Sequence, residues 1–290
     1  MDQQSKPEWL LEYSSNTHSQ TGEDGIIEKI LSMLPERDQW CVEFGAWDGI
    51  YMCNTLALIE RGYHAVLIEG NRKKHKELKN NHAANKKVIP LNGFVGFDAK
   101  NGLDSILSDH PIPKNFDLLS IDIDGNDYHT WKAVETYRPK LVCIEYNPTI
   151  PTEVKFVQEA NENISQGSSL LAMIELGHLK GYELVCANTL NAFFVDRDYF
   201  PLFGIPDNSP HLLRKDTSHV TWIFTLYDGT MQLSGARTVP WHGVYMDENK
   251  LQTIPRCIRN CVSNYNPAQR LILSVLKRIG WLKSMKKPRR

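Results

Sequence analysis

The chain has 290 residues, enough for one large α/β domain with additions or for two small domains. Hydrophobic residues make up 41% and aromatic residues 10%, a composition that excludes a disordered chain. A net charge of −1 excludes a polyelectrolyte binder, and no nucleic-acid partner is expected.

The average charge hides an asymmetry. Asn264 to Arg290 holds eight basic residues and no acid, which leaves −9 on the rest. The start, MDQQSKPEWLLEYSS, has no basic stretch leading into an apolar one, so no secretory leader is expected. No apolar run reaches the roughly 18 residues of a spanning helix. Cys41, Cys53, Cys143 and Cys186 sit in apolar patterns, as small buried hydrophobes do. Cys257 and Cys261 lack the further ligands of a metal site. A reducing, cytoplasmic setting is the expectation.

In chain order, residues 1–38 read as an N-terminal helical segment. WCVEFG (40–45) reads as a buried strand, IYMCNTLALIERG (50–62) as a helix closed by Gly62, and HAVLIEG (64–70) as a second strand. NRKKHKELKNNHA (71–83) reads as a polar helix capped by Asn71, KVIPLNGFVG (87–96) as a third strand and GLDSILSDH (102–110) as a short helix. FDLLSID (116–122) is a fourth strand, DYHTWKAVETY (127–137) a helix and KLVCIEYN (140–147) a fifth strand. SSLLAMIELGHLKG (168–181) is a helix with Ser168 as cap and Gly181 as stop. YELVCAN (182–188) and NAFFVDRDYF (191–200) are strands joined by a short link, hence antiparallel neighbours. Strand–helix alternation with near-continuous apolar strands implies an α/β fold, a doubly wound sheet covered on both faces. The closing strand pair fits a seven-stranded Rossmann-like sheet whose last strand inserts antiparallel.

The core is thus expected over 39–200. Residues 201–264 read as an extension containing a β-hairpin, VTWIFTLYDGTMQLSG (220–235), turned at Asp228-Gly229, with HLLRKDTSH before it as loop. Residues 265–290 read as a basic amphipathic helix with Leu271, Ile272, Val275, Leu276, Ile279 and Leu282 on one face. Such a helix suits peripheral contact with an anionic membrane; a helix packed on the domain with a basic end is the plainer alternative.

Ligands of open α/β sheets sit at the carboxyl ends of the strands. The first strand ends VEFGAWDG. Gly45 allows a tight turn and close approach of a ligand to the main chain. The spacing Gly-x-x-x-Gly and the preceding acid, Glu43, disfavour a pyrophosphate. They favour a ligand with a positive group, such as the ammonium and sulfonium of S-adenosylmethionine. Glu69, ending the second strand, is placed to accept ribose hydroxyls; Asn92 and Gly93, ending the third, stand where an adenine would lie. Asp122, Asp124, Glu145 and Asn147 should converge on one rim. Asp124, Glu145 and Asn147 could bind a divalent cation such as Mg²⁺, or the group could orient a hydroxyl or act as general base. Asp127 reads as the cap of the next helix. His129 is a candidate base.

These motifs together resemble the FkbM-like family of S-adenosylmethionine-dependent methyltransferases. The matching stretches are SQTGEDG (19–25), VEFGAWDG (42–49), LIEGN (67–71), DLLSIDIDGNDY (117–128), LVCIEYNP (141–148) and NAFFV (191–195). The resemblance implies the methyltransferase version of the sheet and methylation of hydroxyls on sugars, polyketides and related metabolites. It implies that Glu43, Gly45 and Trp47, with Ala46 and Asp48 in the same turn, line the methionine end of the cofactor. It implies Glu69, with Gly70 and Asn71, at the ribose, and Asp122 near the sulfonium. Gln20 and Asp24 would belong to an N-terminal segment folding over the site. Where many members read Lys-Ile-Asp-Val-Glu-Gly, Ser120 replaces the lysine and Asp124 the glutamate. DGNDY also resembles the metal-binding turn of macrocin-type sugar O-methyltransferases. The expectation is O-methyl transfer to a sugar or glycan, lipid-linked or of a surface polysaccharide. The rivals are a nicotinamide-dependent oxidoreductase and a non-catalytic membrane-associated scaffold.

Overall fold

The computed structural model describes residues 6–282, which fall into two compact units divided between Thr217 and Ser218. The first unit is built on seven strands: β1 (Trp40–Phe44), β2 (His64–Glu69), β3 (Val88–Asn92), β4 (Leu118–Ile121), β5 (Leu141–Glu145), β6 (Tyr182–Ala187) and β7 (Asn191–Asp196). Their order is β3-β2-β1-β4-β5-β7-β6. The five strands from β3 to β5 run parallel, and β7 lies antiparallel to both β5 and β6. This is the expected seven-stranded Rossmann-like sheet.

Side chains alternate between the two faces of each strand. Val42, Phe44, Ile68, Ile121 and Ile144 join a core with Leu103 of α4 (Leu103–Leu107), Trp131 of α5 (Asp127–Ala133) and Leu170 and Met173 of α6 (Leu170–Lys180). Cys41, Ala65, Leu67, Leu118, Cys143 and Phe193 join a second core on the other face. Ile26, Ile27 and Ile30 of α1 (Glu23–Met33), Ile59 of α2 (Leu56–Glu60) and Leu78 of α3 (Arg72–Asn81) cover it. The same alternation sends Glu43, Glu69 and Glu145 toward the α1 face. All three lie at or near the carboxyl ends of their strands.

Several boundaries differ from expectation. The helix expected over 50–62 forms only at Leu56–Glu60. Upstream, side-chain acceptors take the backbone donors: Asp48 Oδ1 accepts from Ile50 and Tyr51, and Glu43 from Asn54 and Thr55. Such bonds compete with the helix ladder. Asn71 caps α3 as expected, accepting from Lys73 and Lys74. Ser169, not Ser168, caps α6; Gly181 ends it in the left-handed region. The strand expected to reach residue 200 stops at Asp196, whose side chain caps a 3-10 segment, Arg197–Phe203. HLLRKDTSH begins not as loop but as α7 (Pro210–Leu213). The boundary expected after residue 200 falls after Thr217, because Phe203 and Ile205 are buried in the α1-side core.

In the second unit, β8 (Thr221–Thr225) and β9 (Met231–Gly235) form the expected hairpin, with Gly229 at φ 83° in its turn. A short pair follows, β10 (Thr238–Val239) with β11 (Val244–Tyr245), then α8 (Glu248–Leu251) and α9 (Pro267–Arg278). A capping box of Asn266 and Gln269 starts α9, with Pro267 in its first turn. The last part of the tail, 283–290, lies outside the described residues. No helix among the described residues is long and apolar enough to cross a membrane.

Candidate active site at the carboxyl rim of the sheet

The chain turns sharply after β1. Gly45 has φ 78°, and a Cβ there would lie 1.7 Å from the Asp122 carbonyl oxygen, so only glycine fits beside β4. Gly45 and Ala46 donate their N–H groups to the Ile68 carbonyl. Trp47, itself at φ 49° and exposed, donates its N–H to Glu69 Oε2 at 2.9 Å, and Lys74 Nζ lies 4.5 Å from its ring centroid. Glu69 Oε1 accepts from Asn71 N at 2.6 Å. One buried carboxylate thus ties the loop after β1 to the loop after β2, and each oxygen keeps a further lone pair. Asn92 Nδ2 donates to the Glu69 carbonyl at 2.8 Å, Gly93 N donates to the same oxygen, and the ring of Phe94 covers Gly70. The cofactor residues expected on β1, β2 and β3 therefore share one rim.

Glu43 lies on that rim but is already engaged. Its carboxylate accepts from Asn54 N at 2.9 Å, Thr55 Oγ1 at 2.5 Å, Thr55 N at 3.2 Å and Cys53 Sγ at 2.9 Å. Burial holds its pKa above the usual range against these bonds. Through these bonds it shapes the loop after β1. Ser120 is buried and accepts from Asn54 Nδ2 at 3.1 Å, so that position closes the same network.

SIDIDGNDYH divides by role. Asp127 is buried, and its carboxylate accepts from Ile123 N and Gly125 N, both at 2.9 Å. It stands inside α5 and holds the turn before it; Asn126 occupies the cap position expected of Asp127. The turn needs that hold, since Asp124 has φ 56° and Gly125 φ 159°. Asp122, Asp124 and Glu145 bring carboxylate oxygens within 4.8 Å of one another, the only such group among the described residues. Asp122 and Glu145 are half-buried and Asp124 is exposed. Burial first, and the neighbouring Asp127 and Asp124 next, push the pKa of Asp122 up to about 8. Burial and then Asp122 push Glu145 well above the carboxylate range. Asp127 is raised to about 6 by burial, against the backbone donors that lower it. The cluster can hold protons near neutral pH, receive one from a hydroxyl, or seat a hard cation.

Two expected members have polar atoms engaged locally. Asn147 spends its amide there: Oδ1 accepts from Thr149 N at 2.9 Å and Thr149 Oγ1 at 2.7 Å, and Nδ2 donates to the Gln166 carbonyl at 2.7 Å. His129 Nε2 lies 2.8 Å from the Gln158 carbonyl, and its ring packs by Phe97 and Tyr128. It pins segment 147–169 to α5. Gln158 does the same, with its amide shared among Asn126 Oδ1, the Ile164 carbonyl, and the N–H groups of Gln166 and Gly167.

The N-terminal segment folds onto the strand ends through residues that sequence reading missed. Buried Glu23 accepts from Asn188 Nδ2 at 2.8 Å and Asn191 Nδ2 at 3.0 Å, and from Thr21. Asn191 pairs with Glu145 across the sheet. Asp24 Oδ2 gathers the N–H groups of Thr17, His18 and Ser19, while Gln20 is exposed. Asp24 Oδ1 and Asn191 Oδ1 are buried acceptors without a protein partner. The one sequence signal for Glu23 was its place beside Asp24 in SQTGEDG.

No family model and no curated protein matches the chain. Among solved structures it is similar to the N-terminal domain of EvdMO1 with S-adenosylhomocysteine and D-fucose present, at 12% identity and TM-score 0.40, covering 68% of this chain and 97% of that one. It is similar to a SAM-dependent methyltransferase from Aquifex aeolicus, at 10% identity and TM-score 0.37, covering 66% and 98%. It is similar to magnesium protoporphyrin IX methyltransferase from Synechocystis PCC 6803 with bound SAM, at 6% identity and TM-score 0.37, covering 60% and 77%. Likeness at this level carries nothing about substrate or reaction; the fold rests on its own strand order.

Proposed function

We propose that the chain transfers a methyl group from S-adenosylmethionine to a hydroxyl of a sugar or glycan. The observation that carries this reading is the charge of the rim. Acceptors converge there without a cation: Glu69, Asp122, Asp124 and Glu145 form no ion pair among the described residues, and the buried oxygens Asp24 Oδ1 and Asn191 Oδ1 lack donors. Such a rim fits a ligand that brings positive charge and hydroxyl donors, which S-adenosylmethionine does. It opposes the pyrophosphate of a nicotinamide dinucleotide, so the oxidoreductase reading is the weaker one.

The cofactor supplies an activated methyl group. Glu69 would accept the ribose hydroxyls, with Trp47 and Asp48 along the same turn and Asn92, Gly93 and Phe94 at the base. Asp122 would face the sulfonium. Asp124, exposed at the edge, would orient the acceptor hydroxyl, and the Asp122–Glu145 pair would take its proton as the methyl group moves to oxygen. Segment 147–169, held by Gln158, His129 and Asn147, would form one wall of the acceptor site.

Calorimetry should show S-adenosylmethionine binding to the wild-type chain. Glu69→Ala should weaken it about tenfold or more, the worth of one charge-assisted hydrogen bond. Glu69→Gln keeps one acceptor oxygen, enough for one of the two loop N–H groups, and should weaken binding less than Glu69→Ala. Wild-type protein without binding would sink the proposal.

The three clustered carboxylates favour a second element, a divalent cation such as Mg²⁺ held by Asp122, Asp124 and Glu145. Activity that falls in excess chelator and returns with Mg²⁺ is the expected result. Full activity in chelator would leave Asp124 an orienting acid.

A further inference from the structure

Helix α9 presents two different stripes. At about 100° per residue, Ile272, Leu273 and Leu276 share the side that is half-buried, and Gln269 on that side donates to the Cys257 carbonyl. Leu271, Val275 and Ile279, spaced by one turn, form an outward stripe that is 67%, 46% and 68% exposed. Arg278 is exposed beside it, Arg270 and Lys277 are exposed on the other flank, and Trp281, 63% exposed, follows the helix. The amphipathic face expected from sequence is therefore split: half packs on the second unit and half faces out.

We infer that this outward stripe docks the protein on an anionic lipid surface. Charge selects the occupant. From Asn264 to Arg290 the sequence has eight cations and no acid. A second copy of the stripe would set like charges against each other, so self-association here is unfavourable. A planar interface needs only one apolar stripe with basic charge near it, here Arg278 beside the stripe and the cations of the tail sequence, and a tryptophan at its end suits the headgroup level. The inference is independent of the reaction proposed above.

The full-length chain should co-sediment with vesicles of phosphatidylcholine mixed with phosphatidylglycerol, and not with phosphatidylcholine alone, and salt should release it. Leu271→Asp with Ile279→Asp should lower the partition at least about tenfold while circular dichroism stays unchanged. Lys277→Glu with Arg278→Glu should do the same, and carries the test if the first pair unfolds. Wild-type protein that fails to bind the mixed vesicles overturns the inference. So does binding that neither pair of variants alters, or a wild-type dimer in sedimentation that the Leu271 and Ile279 changes dissolve.

Discussion

The two ends of the sheet treat buried acids in opposite ways. At the amino ends of the strands, Lys140 Nζ reaches Asp117 at 2.6 Å and Asp38 at 3.0 Å, and Asp117 also accepts from Asp38 N and Gln39 N. All three of these charges have a partner. At the carboxyl ends, Asp122, Asp124 and Glu145 crowd together with no lysine or arginine pairing with them among the described residues. Paired buried charge serves the fold; unpaired buried charge costs stability and is kept where a ligand will offset it. Position in the sheet, not residue type, separates the paired acids from the clustered ones.

The largest break in this comparison comes from the paired end. Lys140→Ala would leave the fully buried Asp117 without its cation, which should cost about 3–5 kcal/mol. Urea unfolding measures it. A loss below about 1 kcal/mol would mean that backbone donors alone satisfy Asp117, and the contrast would fail.

The carboxyl end should respond in the reverse direction. Glu145→Gln removes one acid from the crowded cluster, so it should stabilise the chain by about 1 kcal/mol while the proposed methyl transfer falls about a hundredfold. The pH profile carries the same sign. Asp122 is raised to about 8 and Asp127 to about 6, so the folded state holds protons that the unfolded chain has released. Their contribution is complete below the unfolded carboxylate pKa and is lost as pH rises through the folded values. Wild-type stability measured in chelator should therefore decline from about pH 4 toward pH 8, and Glu145→Gln should flatten that decline. An equal slope in both proteins would place the titration elsewhere.

Much of this was legible in the sequence because it follows local periodicity. Near-continuous apolar strands such as LVCIE (141–145) and glycine-ended strands such as WCVEFG (40–45) announce a parallel sheet and its ligand rim. Asn71, Gly181 and the Asp228-Gly229 turn are local chemistry and stand where expected. The failures have a common physical cause, which is competition among side chains distant in sequence. Nothing in IYMCNT (50–55) tells that Glu43 and Asp48 will take its backbone donors. Asn147 follows β5 and His129 lies in the helix after β4, residue types suited to a site, yet segment 147–169 folds back and bonds to both. Glu23, Asn188 and Asn191 meet only once the sheet order brings the N-terminal segment over β7.

The smallest predicted effect tests whether burial or mere contact gives the paired end its strength. Lys140 touches two acids, but they are not equivalent: the Asp117 side chain is fully buried and that of Asp38 is 23% exposed. Water can replace part of what Asp38 offers, and Asp38→Asn keeps an oxygen to accept the Trp40 N–H, now at 3.1 Å from Oδ1. Lys140 would still hold Asp117. Asp38→Asn should therefore cost under about 1 kcal/mol in the urea series that shows the full Lys140→Ala loss. If the two losses were equal, the pair would act as one inseparable triad, and stability at this end would come from the number of partners rather than from the depth of one.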